Sequence, residues 1–223
     1  MRNSRSLVLC AVVLGTTFAQ RAFSAVIDFE SLAGPTTFAA AGNAQTLNIA
    51  TGIGNVNIQG GVILTNATNL PADETSIYGT AGNATNIGVT TGSGFLNPIT
   101  ITFPVPIANF FLDVLNGNVI NVNYRVADNN GNSANFLLVP NLNNGQKTIG
   151  FAATGTVVTI TATTGQSTQN GLTWDFFIDN IHFNEPLPSN LAPEPATMVM
   201  MSAGIAGLLL VGFLRKSRAD RRV

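Results

Sequence analysis

Carboxylates are the side chains from which this sequence could build a chemical site. Between residues 25 and 192 they are Asp28, Glu30, Asp73, Glu74, Asp113, Asp128, Asp175, Asp179 and Glu185, whereas the chain has one histidine, His182, and one cysteine, Cys10. Cys10 lies inside an N-terminal apolar stretch, so the domain that follows has no internal disulfide, no thiol nucleophile and no thiolate metal site. His182 stands between Ile181 and Phe183 with no Gly-x-Ser-x-Gly context, which argues against a serine triad. Zinc, which favours several His or Cys ligands, is disfavoured for the same reason. Glycoside hydrolysis needs only two carboxylates across a cleft, and Asp113, Asp128, Asp175 and Asp179 are the candidates. Asp128, however, opens Asp128-Asn129-Asn130-Gly131-Asn132, a turn in which an aspartate caps backbone amides, and no spacing pairs the others. That turn also lacks the alternating ligands and distal glutamate of an EF-hand. The expectation is a non-catalytic domain, with a carboxylate-dependent glycan-active enzyme as the alternative.

The elements that must position these acids are strands. From Asn109 onward, apolar runs are separated by Asn116-Gly117, Asn129-Asn130-Gly131, Asn143-Asn144-Gly145 and Gly155, residues that tolerate the positive φ of tight hairpin turns. Strands are predicted over Asn118–Ala127, Ser133–Val139, Lys147–Ala153 and Thr156–Thr164, following one another as a meander. Within the first, Val122, Tyr124 and Val126 alternate with Asn121, Asn123 and Arg125, the period of a strand with one wet face. Alternation is patchy from Gly34 to Gly94, where long loops are expected, apart from Val62–Leu64; Ile27–Phe29 and Ile99–Phe103 read as strands on either side. Short strands at this spacing, without a 3.6-residue apolar stripe, predict an all-β antiparallel β-sandwich.

The segment Leu172–Phe183 has apolar residues on both parities: Trp174, Phe176 and Ile178 on one, Phe177, Ile181 and Phe183 on the other. Both cannot face one core throughout, so a bulge is expected near Asp179-Asn180. Charge is partitioned along the chain. Residues 25–192 hold two bases, Arg125 and Lys147, against nine acids, a formal charge of −7. Without a basic stripe to neutralise phosphates, nucleic acid is excluded as a partner.

The ends read as addresses. Residues 1–24 combine a basic start, an apolar run and small residues, a signal peptide with cleavage expected before Ala25. The domain is placed at 25–187 and a linker at 188–195. Residues 196–214 form an uncharged run of about 19 residues, long enough to cross a bilayer as a helix. Arg215, Lys216, Arg218, Arg221 and Arg222 follow within 215–223, and positive charge there predicts a cytoplasmic tail and an outward-facing domain. Directly before the helix, Pro193-Glu194-Pro195 keeps the chain extended and unpaired, because proline fixes φ and lacks an amide hydrogen. This order of Pro-Glu-Pro, membrane helix and arginine-rich end resembles the PEP-CTERM sorting segment. The resemblance implies recognition by an exosortase, and a place at the cell surface or in a biofilm matrix with extracellular polysaccharide as a partner.

The early Ile27-Asp28-Phe29-Glu30 and the late Phe177-Ile178-Asp179-Asn180-Ile181 together resemble jelly-roll modules of the carbohydrate-binding and galactose-binding type. In such modules first and last strands are neighbours and their acids help hold a structural calcium. The resemblance implies Glu30 and Asp179 near one ion, with backbone carbonyls or Asp28 and Asp175 completing six to eight oxygens. For sugar stacking the candidate rings are Trp174, Tyr78 and Tyr124. The run Thr156, Thr159, Thr161, Thr163 and Thr164 makes an ice-binding surface a further alternative, although threonine is also an ordinary strand former.

Overall fold

The computed structural model describes residues 24–67, 74–81, 96–140, 145–164 and 175–191. The signal peptide, the Pro-Glu-Pro motif, the membrane segment, the basic tail and Trp174 lie outside the described residues, except that Ser24 is described. Among the described residues no helix is long and apolar enough to cross a membrane.

Among the described residues, eleven antiparallel strands and one helical turn form two layers. In chain order they are β1 (Ala25–Ile27), α1 (Phe38–Ala41), β2 (Gln45–Thr51), β3 (Gly54–Thr65), β4 (Ser76–Ala81), β5 (Ile99–Thr102), β6 (Ile107–Asn116), β7 (Val122–Asp128), β8 (Ser133–Leu138), β9 (Gln146–Thr154), β10 (Val157–Thr164) and β11 (Asp175–Phe183). The pairing path runs β8-β7-β10-β5-β3-β4-β11-β6-β9, with β1 added to β11 and β2 to β3. The first layer holds β1, β11, β6, β9 and β4 and the second β2, β5, β10, β7 and β8, and strand β3 belongs to both: Asn57–Gln59 pair with β5 and Val62–Thr65 with β4. The crossing falls at Gly60-Gly61. Gly60 has φ 104, and a Cβ on Gly61 would lie 2.2 Å from the Gly79 carbonyl oxygen, so neither position accepts a side chain without rearrangement. The Tyr78 hydroxyl secures the crossing by accepting from the Gly61 amide (2.8 Å) and donating to the Gln45 carbonyl (2.9 Å).

The all-β expectation therefore holds, and two details of order change. The run of strands after Asn118 is not a meander. β7 and β8 form a hairpin, but β9 joins β6 in the other layer and β10 returns to pair with β7 and β5. Asn-Gly punctuation specifies that the chain turns, not which layer the next strand enters. The region predicted as long loops carries β2, the twelve-residue β3 and β4. Its small polar residues hid the strands, because β4 is buried along its whole length and shows no alternation to read.

The core lies between the layers. Ile58, Ile101, Tyr124, Val126 and Ile160 face Tyr78, Leu112, Val114, Phe176 and Ile178 in one apolar cluster. Aromatic contacts knit it across the gap, with Tyr124 edge-on to Phe176 at 5.6 Å and Phe103 edge-on to Phe183 at 5.3 Å. A second, smaller cluster sits outside the first layer, where Phe38 of α1 covers Val62, Leu64, Ile77 and Leu115 and stacks on Phe177 at 5.7 Å.

Candidate metal centre

Both predictions about the last strand are met. β1 pairs with β11, Ile27 opposite Ile181 and Ala25 opposite Phe183. The register of β11 against β6 shifts between Asp179 and His182, and Asn180 at the shift has φ 48, a left-handed conformation that asparagine tolerates. Phe176 and Ile178 before this bulge and Ile181 and Phe183 after it all reach the core. The bulge also leaves Asp179 on the outer side of the first layer, opposite Asp113 of β6.

Glu30 arrives from the other side. Phe29, at φ 57, turns the chain at the end of β1 while its buried ring stays stacked on Tyr78 at 5.9 Å. Glu30 then meets the start of β4, accepting from the amides of Thr75 (3.0 Å) and Ser76 (3.2 Å) and from the Thr75 hydroxyl. The Thr75 hydroxyl, followed by the two amides, holds its carboxyl below the usual range.

Glu30, Glu74 and Asp179 thus converge, with one carboxylate oxygen from each within 4.8 Å of the others. Asp179 is 1% exposed; its Oδ1 accepts from the Asn180 amide at 2.7 Å, and its buried Oδ2 has no hydrogen-bond partner. Burial first, then the adjacent Glu74 and Glu30 carboxylates, push the Asp179 carboxyl far above the ordinary range. Three acids at this separation repel, and a buried acceptor without a donor is costly. Either a proton or a cation relieves both conditions. An all-carboxylate set of hard oxygens fits calcium rather than a softer transition metal.

Of the residues expected here, Glu30 and Asp179 are brought together, while Asp28 and Asp175 are not. Exposed Asp28 accepts from the Glu30 amide at 3.3 Å, and Asp175 begins β11 opposite Ala81. Sequence reading missed Glu74, which stands two residues before β4; only the β4–β11 pairing carries it to Asp179. Asn180 joins the group to Asp113, donating to Glu74 at 3.1 Å and to Asp113 at 3.3 Å, and Asp113 also accepts from Thr148 at 2.5 Å.

The four acids considered for hydrolysis do not form one set. Asp113 and Asp179 are cross-strand partners, whereas Asp128 turns into the β7–β8 hairpin, accepting from the amides of Asn130 (3.0 Å) and Asn132 (2.8 Å). Asp175 lies beside Tyr124, and burial pushes its carboxyl up to about 7. Tyr78 and Tyr124 are fully buried and unavailable for sugar stacking, since large rings close this core. His182 is half-buried, stacked on Phe111 at 4.3 Å and 2.8 Å from Glu185, which also accepts from Ser24 at 2.6 Å.

No protein-family model and no curated protein matches the chain. Among solved structures, the K2 cleaved adhesin domain of Lys-gingipain is similar at 15% identity and TM-score 0.38, over 73% of this chain and 100% of that one. The K1 cleaved adhesin domain of Lys-gingipain from Porphyromonas gingivalis W83 is similar at 14% identity and TM-score 0.34, over 74% and 99%. TmCBM61 in complex with β-1,4-galactotriose is similar at 10% identity and TM-score 0.32, over 71% and 94%. The fold and site described above rest on this chain's own geometry.

Proposed function

We propose that this chain is an exported, non-catalytic surface or matrix protein that is sorted by an exosortase and contacts extracellular polysaccharide through its β-sandwich. The carrying observation is the order Pro193-Glu194-Pro195, an uncharged run over residues 196–214, and Arg215, Lys216, Arg218, Arg221 and Arg222. A proline-locked extended segment suits a protease, and the basic cluster orients the helix with the domain outside. The acidic domain adds support, because it carries no basic stripe for nucleic acid.

Glu30, Glu74 and Asp179 hold one structural calcium in this reading. The ion supplies counter-charge to the cluster and ties the turn after β1 to the bulge of β11 and the start of β4. The orphaned, buried Asp179 Oδ2 is the observation in its favour.

The sorting half is tested by expressing the full chain, tagged before Pro193, in hosts with and without the exosortase. Exosortase-dependent shortening and release from the inner membrane is the expected outcome. A full-length, membrane-bound chain in both hosts reduces residues 193–223 to an anchor and removes the matrix assignment.

A further inference from the structure

We infer that the outward face of the second layer, built by β2, the first half of β3, β5, β10, β7 and β8, is the docking surface for a neutral, hydroxyl-rich polysaccharide; this rests on the reading of the chain as a polysaccharide-contacting protein. The face is defined by register. Gln59, Thr100, Thr159, Ala127 and Ser133 are successive cross-strand partners and form one straight row over five strands. At about 4.8 Å per strand the row is roughly 19 Å long, room for several sugar rings. A parallel row begins Asn48, Asn57, Thr102 and Val157.

The face is mainly hydroxyl and amide, with exposed Leu137 and Val139 forming an apolar margin on the β8 side. Its outward side chains are exposed or half-exposed, and among the described residues they include a single charge, Arg125, and no aromatic ring. The carboxylates gather elsewhere: Glu30, Glu74, Asp113 and Asp179 lie on the other layer's outer side, and Asp128 is turned into its hairpin. Hydroxyl and amide groups both donate and accept, as sugar hydroxyls do. A charged side chain under a neutral polymer exchanges its hydration for hydrogen bonds to sugar hydroxyls alone, so a face whose single charge is Arg125 costs less to cover than the acidic outer side of the other layer. Thr159 donates to the Ala127 carbonyl at 3.3 Å and Thr163 to the Asn123 carbonyl at 3.1 Å, which orients both hydroxyls and leaves their oxygens as acceptors. An acidic polymer is disfavoured by the domain's net negative charge.

The test uses the full chain and two variants, Thr102→Glu and Thr100→Glu, whose cross-strand partners are all uncharged, in co-sedimentation with insoluble cellulose and curdlan and in affinity electrophoresis through arabinogalactan, dextran and alginate. The expected result is retention by at least one neutral polymer, none by alginate, and about a tenfold loss in each variant, as an unpaired charge enters the covered face. Far-UV circular dichroism and melting of the variants establish that they fold; Thr102→Asp and Thr100→Asp replace any that do not. Retention that survives the substitutions overturns the face while leaving polysaccharide contact standing, and retention by alginate alone overturns the neutral ligand. Binding to no polymer overturns both the face and the polysaccharide reading. Inhibition of ice recrystallisation that is lost in the same variants assigns the face to ice and overturns the polymer.

Discussion

The two outer faces of the sandwich are built from the same strand-forming alphabet and have opposite fates. Outside the first layer, Val62, Leu64, Ile77 and Leu115 are apolar and are covered by Phe38 of α1, and beside them lie the converging acids Glu30, Glu74 and Asp179. Outside the second layer, threonine, asparagine and glutamine stand uncovered with Arg125 among them and Leu137 exposed on β8. The first face is part of the folding energetics. The second keeps its side chains in water and is expected to contribute little to stability. The difference shows that an outward position of a strand is not a surface position until the neighbouring loops are known.

Substitutions can break this contrast. Phe38→Ala removes the ring that closes the outer apolar cluster and is expected to lower unfolding free energy by about 3 kcal/mol in urea titration. A loss under about 1 kcal/mol would mean that α1 rests on the layer without being part of its core.

Calcium comes next. At a hundredfold excess over its Kd it is expected to add about 2.7 kcal/mol, seen as a rise of several degrees in the melting temperature relative to chelator, and Asp179→Asn should abolish the response. An unchanged melting temperature in the wild type removes the metal and leaves a cluster relieved by protonation alone.

A pH dependence sharpens the comparison at the far end of β11. Asp175 is raised from 3.8 to about 7 by burial, and Tyr124 lies beside it. The folded state therefore holds this proton more tightly than the unfolded state. Its stabilising contribution is complete below pH 4 and is lost as pH rises towards about 7. Urea midpoints should fall across that window in the wild type and fall less in Asp175→Asn. The smallest expected effect belongs to the open face, where Thr161→Ala should change stability by no more than about 0.5 kcal/mol. A larger change would show that the face is structural after all.

Much of the β11 chemistry is legible in the amino-acid sequence, because a strand with apolar residues on both parities must shift register, and Asp179-Asn180 is the place with residues suited to it. The neighbourhood of β1 and β11, which brings Glu30 to Asp179, followed from the jelly-roll resemblance of their residues. Glu74 did not follow. It reaches the cluster only through the pairing of β4 with β11, a contact between segments about a hundred residues apart that no local pattern encodes.

The amino-acid sequence by itself determined the all-β class, the β7–β8 hairpin turn, the bulge, the lack of cysteine in residues 25–192 and the negative charge of that stretch. These follow from side-chain period, from residues that accept positive φ, and from counting. Tertiary structure alone decided the rest: which layer β9 and β10 enter, that Tyr78 and Tyr124 are buried, and which of two outward faces is covered. Those outcomes depend on where β3 crosses at Gly60-Gly61 and on which loop folds over which sheet, and both are set by long-range packing that a period of two cannot specify.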